Sequence, residues 1–139
     1  MKITITNLQK KLTVHPKKIK KLILKILKSE KIKESGSINV CFVNNPLIKK
    51  INAKFHKVNS TTDVLAFNLS NKIAEKTLLA DIVISTDMAV KAAENFKTTK
   101  DYELSLYVVH GILHILGYND QSKAQIKLMR KKESKYVNR

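Results

Sequence analysis

His110 and His114 stand four residues apart in the run His110-Gly111-Ile112-Leu113-His114-Ile115-Leu116-Gly117-Tyr118-Asn119-Asp120. On a helix, residues at that spacing share a face, with Cβ atoms about 6 Å apart. Two imidazoles so placed can grip one metal ion. Gly117, three residues on, can end the helix in a left-handed turn and send the chain back. The carboxylate of Asp120 then has a route to a third coordination position. Three protein ligands leave one position open, which is the design of a catalytic zinc site rather than a structural one. The bland alternative is two core histidines with satisfied hydrogen bonds, ahead of a capping glycine. The metallopeptidase pattern H-E-x-x-H needs a glutamate beside the first ligand as general base. Here that position is Gly111, so peptidase chemistry lacks its base.

The elements that must position these residues can be read from periodicity. Strands are expected over 2–6, 38–43, 63–67 and 81–85. Pro16 sits where a helix would start. Ile19, Leu22, Ile23, Ile26 and Leu27 follow at helical spacing with lysines between them. That pattern suits a helix packed on a sheet with a solvated lysine face, or a helix lying on a membrane surface. Asn45-Pro46 reads as an N-cap and first-turn proline, opening a helix with Leu47, Ile48, Ile51 and Phe55 on its buried stripe. Thr86-Asp87 can cap a helix carrying Ala89, Val90, Ala93 and Phe96. The next helix, about 101–116, is apolar almost all round and so should be central and buried. A basic helix starting near Ser122 carries Ile126 and Met129. Residues 57–62 read as a loop and 68–77 as a polar connection. The fold class expected is α+β (α/β): one small mixed sheet of about four strands, covered by about five helices, with the metal-bearing helix at the centre. A length of 139 residues is most simply one domain, 1–139, with a real core.

Charge points to the partner. A formal net charge of +16 on so small a chain attracts polyanions, of which RNA and DNA are the commonest in a cell. The excess is almost all lysine, in a chain also rich in Ile and Asn, which AT-rich coding bias would equally produce. There is no run of about 18 apolar residues for a membrane span. The first residues lack the apolar core of a signal peptide. The single cysteine, Cys41, excludes an internal disulfide and sits among Val40, Phe42 and Val43 as a packing residue. A cytoplasmic protein with no membrane partner and no organic cofactor is expected.

The metal run resembles H-G-x-L-H-x-x-G-Y-D-H, the mark of the YbeY family of bacterial rRNA maturation endoribonucleases, which have a zincin-like α/β fold. Three further segments resemble that family in the right order. They are Ile51-Asn52-Ala53-Lys54-Phe55-His56, Thr62-Asp63-Val64-Leu65-Ala66-Phe67 and Ala80-Asp81-Ile82-Val83-Ile84-Ser85. The resemblance implies one zinc ion per chain, held by His110, His114 and Asp120, and cleavage of single-stranded RNA. It also implies a place in maturing the 3′ end of small-subunit rRNA and in ribosome quality control, with the small ribosomal subunit as partner. Three positions depart from the family pattern. Asp120 replaces the third histidine ligand, so an anionic donor lowers the net charge of the centre, and water held there should ionise less readily. His56 replaces the arginine near the cleft, and histidine is neither always charged nor bidentate. Asn119 replaces an aspartate and keeps hydrogen bonding but not charge. On this reading His56 and Asp63 are the catalytic candidates beside the metal. The rival reading is an RNA- or ribosome-binding maturation factor with weakened or no catalysis. A metal-dependent hydrolase of peptides or small molecules is disfavoured by the absent glutamate and the charge.

Overall fold

The computed structural model describes residues 1–33, 35–56, 62–70 and 77–137, and of His56 only the backbone. Residues 57–61 of the expected loop and 71–76 of the expected connection lie outside the described residues.

Among the described residues four strands carry alternating apolar side chains and build one sheet: β1 (Lys2–Asn7), β2 (Ser35–Val43), β3 (Val64–Asn68) and β4 (Thr77–Ser85), in spatial order β1-β2-β4-β3. β1, β2 and β4 run parallel, while β3 pairs antiparallel with β4 and forms an edge. Side chains two apart along a strand share a face. Ile38, Val40 and Phe42 of β2 and Ala80, Ile82 and Ile84 of β4 therefore enter one large core. Val43, Leu65 and Val83 point to the other face and form a smaller core.

Five helices among the described residues cover the two faces. α1 (Pro16–Ser29), α3 (Thr86–Phe96), α4 (Lys100–Ile115) and α5 (Lys123–Tyr136) contribute to the large core. α2 (Asn45–His56) lies on the smaller core through Leu47, Ile48 and Ile51. α1 buries Ile19, Ile23, Ile26 and Leu27, with Pro16 in its first turn. Its lysines stay exposed apart from the stripe, as a helix packed on a sheet requires. The fold is the α+β class expected, with a mixed four-stranded sheet and five helices.

β2 and β4 run longer than their apolar runs suggest, because they pair with one another as far as Ser35 and Thr77, beyond the reach of β1 and β3. Two caps are shifted by one residue. Asn44, not Asn45, accepts from the Leu47 N–H at 3.0 Å, and Asn45 Oδ1 accepts instead from the Ser85 hydroxyl. Ser85, not Thr86, caps α3 by accepting from Met88 N–H. Phe55, expected on the buried stripe of its helix, is exposed, and so are Phe96 and Ile126. Phe55 and Phe96 occupy the last turns of their helices.

Candidate metal centre

α4 is capped by Thr99, which accepts from Tyr102 N–H, and runs through the core with Leu104, Val108, Val109, Ile112 and Leu113 buried. Gly111 sets how closely it lies on the sheet. A Cβ there would stand 2.9 Å from the Ile82 Cγ2 methyl and 3.3 Å from Val64 Cγ1. The position where a peptidase would carry its glutamate is therefore filled by the sheet. α4 ends as its glycine predicts. Gly117, at φ 103°, donates to His114 O, and Tyr118 donates to Leu113 O. That double bond pair is a Schellman cap, and only a residue without Cβ takes its left-handed position easily. The chain reverses and returns Asp120 to the two histidines.

His110 Nε2 and His114 Nε2 are 3.0 Å apart, and Asp120 Oδ2 lies 3.6 Å from the first and 3.5 Å from the second. A tetrahedral ion with bonds of about 2.0–2.2 Å would hold its ligand atoms about 3.3–3.6 Å apart. The triangle of two nitrogens and one oxygen fits such an ion to within a few tenths of an ångström, and its donor types suit zinc. The two rings are about one quarter exposed and Asp120 is 44% exposed, so one side of the triangle opens to solvent.

The other nitrogen of His110 has a partner that sequence reasoning missed. Its Nδ1 lies 2.6 Å from Glu133 Oε2 on α5. A carboxylate can only accept, so Nδ1 carries the proton and Nε2 keeps its lone pair for a metal. Burial opposes charge on this ring. The Glu133 hydrogen bond and the charges of Glu133, Asp120 and Asp63 outweigh it, and the His110 pKa lies above its ordinary 6.5.

The turn itself is anchored from two helices. Glu30, at the end of α1, accepts hydrogen bonds from Tyr118 Oη at 2.5 Å, from Tyr136 Oη and from Lys132 Nζ at 3.0 Å. Burial would raise this carboxyl, but the bonds from the two tyrosines and from Lys132 overcome it and lower its pKa to about 2. Tyr118 is thereby fixed two residues before Asp120.

The triangle opens on a cavity of about 440 Å³ whose other wall is β3 and the residues before it, including Thr62, Asp63, Val64 and Asn68. Asn68 Nδ2 donates to Ile115 O at 3.2 Å and ties this wall to the last turn of α4. Asp63 is exposed, with Oδ1 accepting from Val64 N–H at 2.8 Å. The structure thus brings Asp63 to the same cavity as His110, His114 and Asp120. His56 is the last residue of α2, on the opposite sheet face, and its side chain is outside the described residues.

Known proteins resemble this chain along its whole length. A family profile described as Endoribonuclease YbeY matches residues 4–139. The protein named Endoribonuclease YbeY from Syntrophus aciditrophicus is 35% identical over 96% of this chain and 86% of its own. Its namesake from Caldanaerobacter subterraneus is 32% identical over 100% of this chain and 97% of its own. The solution structure of TM1509 from Thermotoga maritima superposes with a TM-score of 0.62 at 28% identity, covering 97% of this chain and 86% of the other.

Proposed function

The chain belongs to the endoribonuclease YbeY family, and from that premise we propose that it cuts single-stranded RNA at a zinc centre held by His110, His114 and Asp120. The observation that carries this reading is the donor triangle opening on a substrate-sized cavity, with Glu133 fixing the tautomer of His110. A bound zinc ion supplies a Lewis acid for a phosphoryl oxygen and makes water a better nucleophile near neutral pH.

The chain's own residues do the remainder. Glu133 holds the His110 ring with Nε2 facing the centre. Gly111 and the Asn68–Ile115 bond hold α4 against β3, so the cavity keeps its width. Asp63, at the cavity wall, accepts the proton of the attacking water on a carboxylate oxygen. His56, at the end of α2 and six residues before Thr62 of the cavity wall, is the candidate to meet a phosphate of the strand. The +16 net charge draws the strand in. On this reading residues 1–139 act as one domain in the cytoplasm, and the substrate is rRNA at the 3′ end of the small subunit, met on that subunit. No described helix is long and apolar enough to cross a membrane.

The test is metal content of the purified chain beside a His110→Ala/His114→Ala variant, with cleavage of a single-stranded oligoribonucleotide followed in both. The expected result is about one zinc per chain, lost in the variant together with cleavage. A metal-free natural chain that folds and binds RNA without cutting it would overturn the nuclease reading in favour of a binding factor.

A further inference from the structure

Holding single-stranded RNA takes flat rings for bases as well as cations for phosphates. This chain has no tryptophan, four phenylalanines and four tyrosines. Phe42, Tyr107 and Tyr136 are buried, and Tyr118 is committed to Glu30. Among the described residues two phenyl rings are more than half exposed, Phe55 at 62% and Phe96 at 72%. Phe55 is already engaged, with Phe67 edge-on at 5.7 Å and Lys54 Nζ over its face at 5.5 Å. Phe96 has neither a ring nor a cation against it among the described residues.

Phe96 borders a cavity of about 590 Å³ between the end of α3, the start of α4 and α5, with Tyr102, Leu106 and Arg130 on its wall. That volume is within the range of small-ligand sites. Arg130 is one of only two arginines among 27 basic residues. It makes no ion pair among the described residues. The acid of this cavity, Glu103, is 3% exposed and accepts the Thr98 hydroxyl at 2.5 Å, which turns its charge inward. A second cavity of about 620 Å³ shares Thr99 and Tyr102 with the first and carries Lys18, Lys21 and Lys25 of α1. Its one carboxylate, Asp101, faces Lys18 at 3.8 Å. The two cavities form one groove with an exposed ring, a free guanidinium and a row of ammonium groups. An exposed ring beside cations complements a single strand of RNA rather than an acidic peptide, which would use the cations alone.

We propose that this groove is a second RNA-contact site, in which Phe96 stacks a base and Arg130 takes a neighbouring phosphate. It rests on the RNA-cleaving reading above but uses none of the metal-centre residues. Tyr102 precedes His110 by eight residues, about 12 Å along the helix axis, so the groove anchors the strand away from the bond being cut.

The absence of tryptophan supplies the probe. In Phe96→Trp a single indole reports the site. With chelator present to prevent cleavage, titration with a fluorescein-labelled adenylate dodecamer should quench the indole, and affinity by anisotropy should match or exceed that of the parent. Phe96→Ala should bind about tenfold more weakly. Arg130→Gln should lower the salt dependence of binding by about one ion. Circular dichroism should show all variants folded. The His110→Ala/His114→Ala chain carrying Phe96→Trp should keep the quench. If the parent binds this RNA while the indole is silent at saturation, or Phe96→Ala binds like the parent, the groove proposal is overturned and the nuclease reading stands. If the parent binds no RNA, the nuclease reading itself falls and takes the groove with it.

Discussion

The carboxylate of Glu133 stands 2.6 Å from Nδ1 of His110, on the side of the ring away from His114. α4 offers the ligand and α5 decides which of its nitrogens is free. Supporting carboxylates of this kind are worth about 10–100-fold in metal affinity. Glu133→Ala should weaken zinc binding by that factor, measured by competition with a chromophoric chelator. Glu133→Gln, which still accepts a hydrogen bond, should fall between the two. Equal affinities in all three proteins would remove Glu133 from the site.

Glu30 gives the fold a pH dependence with a defined sign. Its folded pKa of about 2 is below the ordinary 4.5, so the unfolded chain takes up the proton first. The stabilisation is full above pH 4.5 and is lost as pH falls towards 2. A shift of that size corresponds to about 3 kcal/mol at most. Urea unfolding of the natural chain should lose stability across this window, and Glu30→Gln should lose less. Parallel acid profiles for the two proteins would refute the assignment.

Asp120→His restores a neutral third donor. It should move the rising limb of the cleavage pH profile to lower pH, each unit being worth about tenfold in rate below the limb. Zinc affinity, read by the same chelator competition, reports whether the donor is used at all. No gain in rate and no change in affinity would mean that Asp120 is not a ligand.

Gly111→Ala sets two effects against each other. Alanine in a helix interior gains about 1 kcal/mol over glycine. The new methyl would stand 2.9 Å from a fully buried Ile82, and overpacking of that kind costs about 1–3 kcal/mol. Net destabilisation of about 1 kcal/mol is expected in thermal unfolding, with a fall in activity as α4 lifts from β3. A stabilised variant with full activity would show that the contact relaxes freely.

The sequence made the metal triangle legible because its donors are local: H-x-x-x-H fixes two on one helical face and Gly117 accounts for the reversal to Asp120. Glu133 was hidden in a lysine-rich helix, although a signal existed. It is the one acid of α5 and lies four residues after buried Met129, on the inward face, where an acid needs a partner. Glu30 gave no such signal, because its partners are 88 to 106 residues away. Phe55 departs from the buried stripe that its spacing predicts for a simpler reason. Helical periodicity assigns a side of the helix, but it does not say where the sheet beneath stops. Phe55 falls in the final turn of α2, where it meets Phe67 edge-on and stays 62% exposed.

The three candidate metal donors lie within eleven consecutive residues, and Glu133 follows only thirteen later. The opposite wall of the cavity comes from residues 62–68, far earlier in the chain. Closing a short loop costs little chain entropy. The donor triangle needs the reversal between α4 and α5, with Glu30 of α1 holding Tyr118, whereas the cleft also needs β3 seated on β4. The two events are separable in time during folding. A chain loosened at β3 alone would keep the donor triangle after losing the wall along which a strand of RNA could lie.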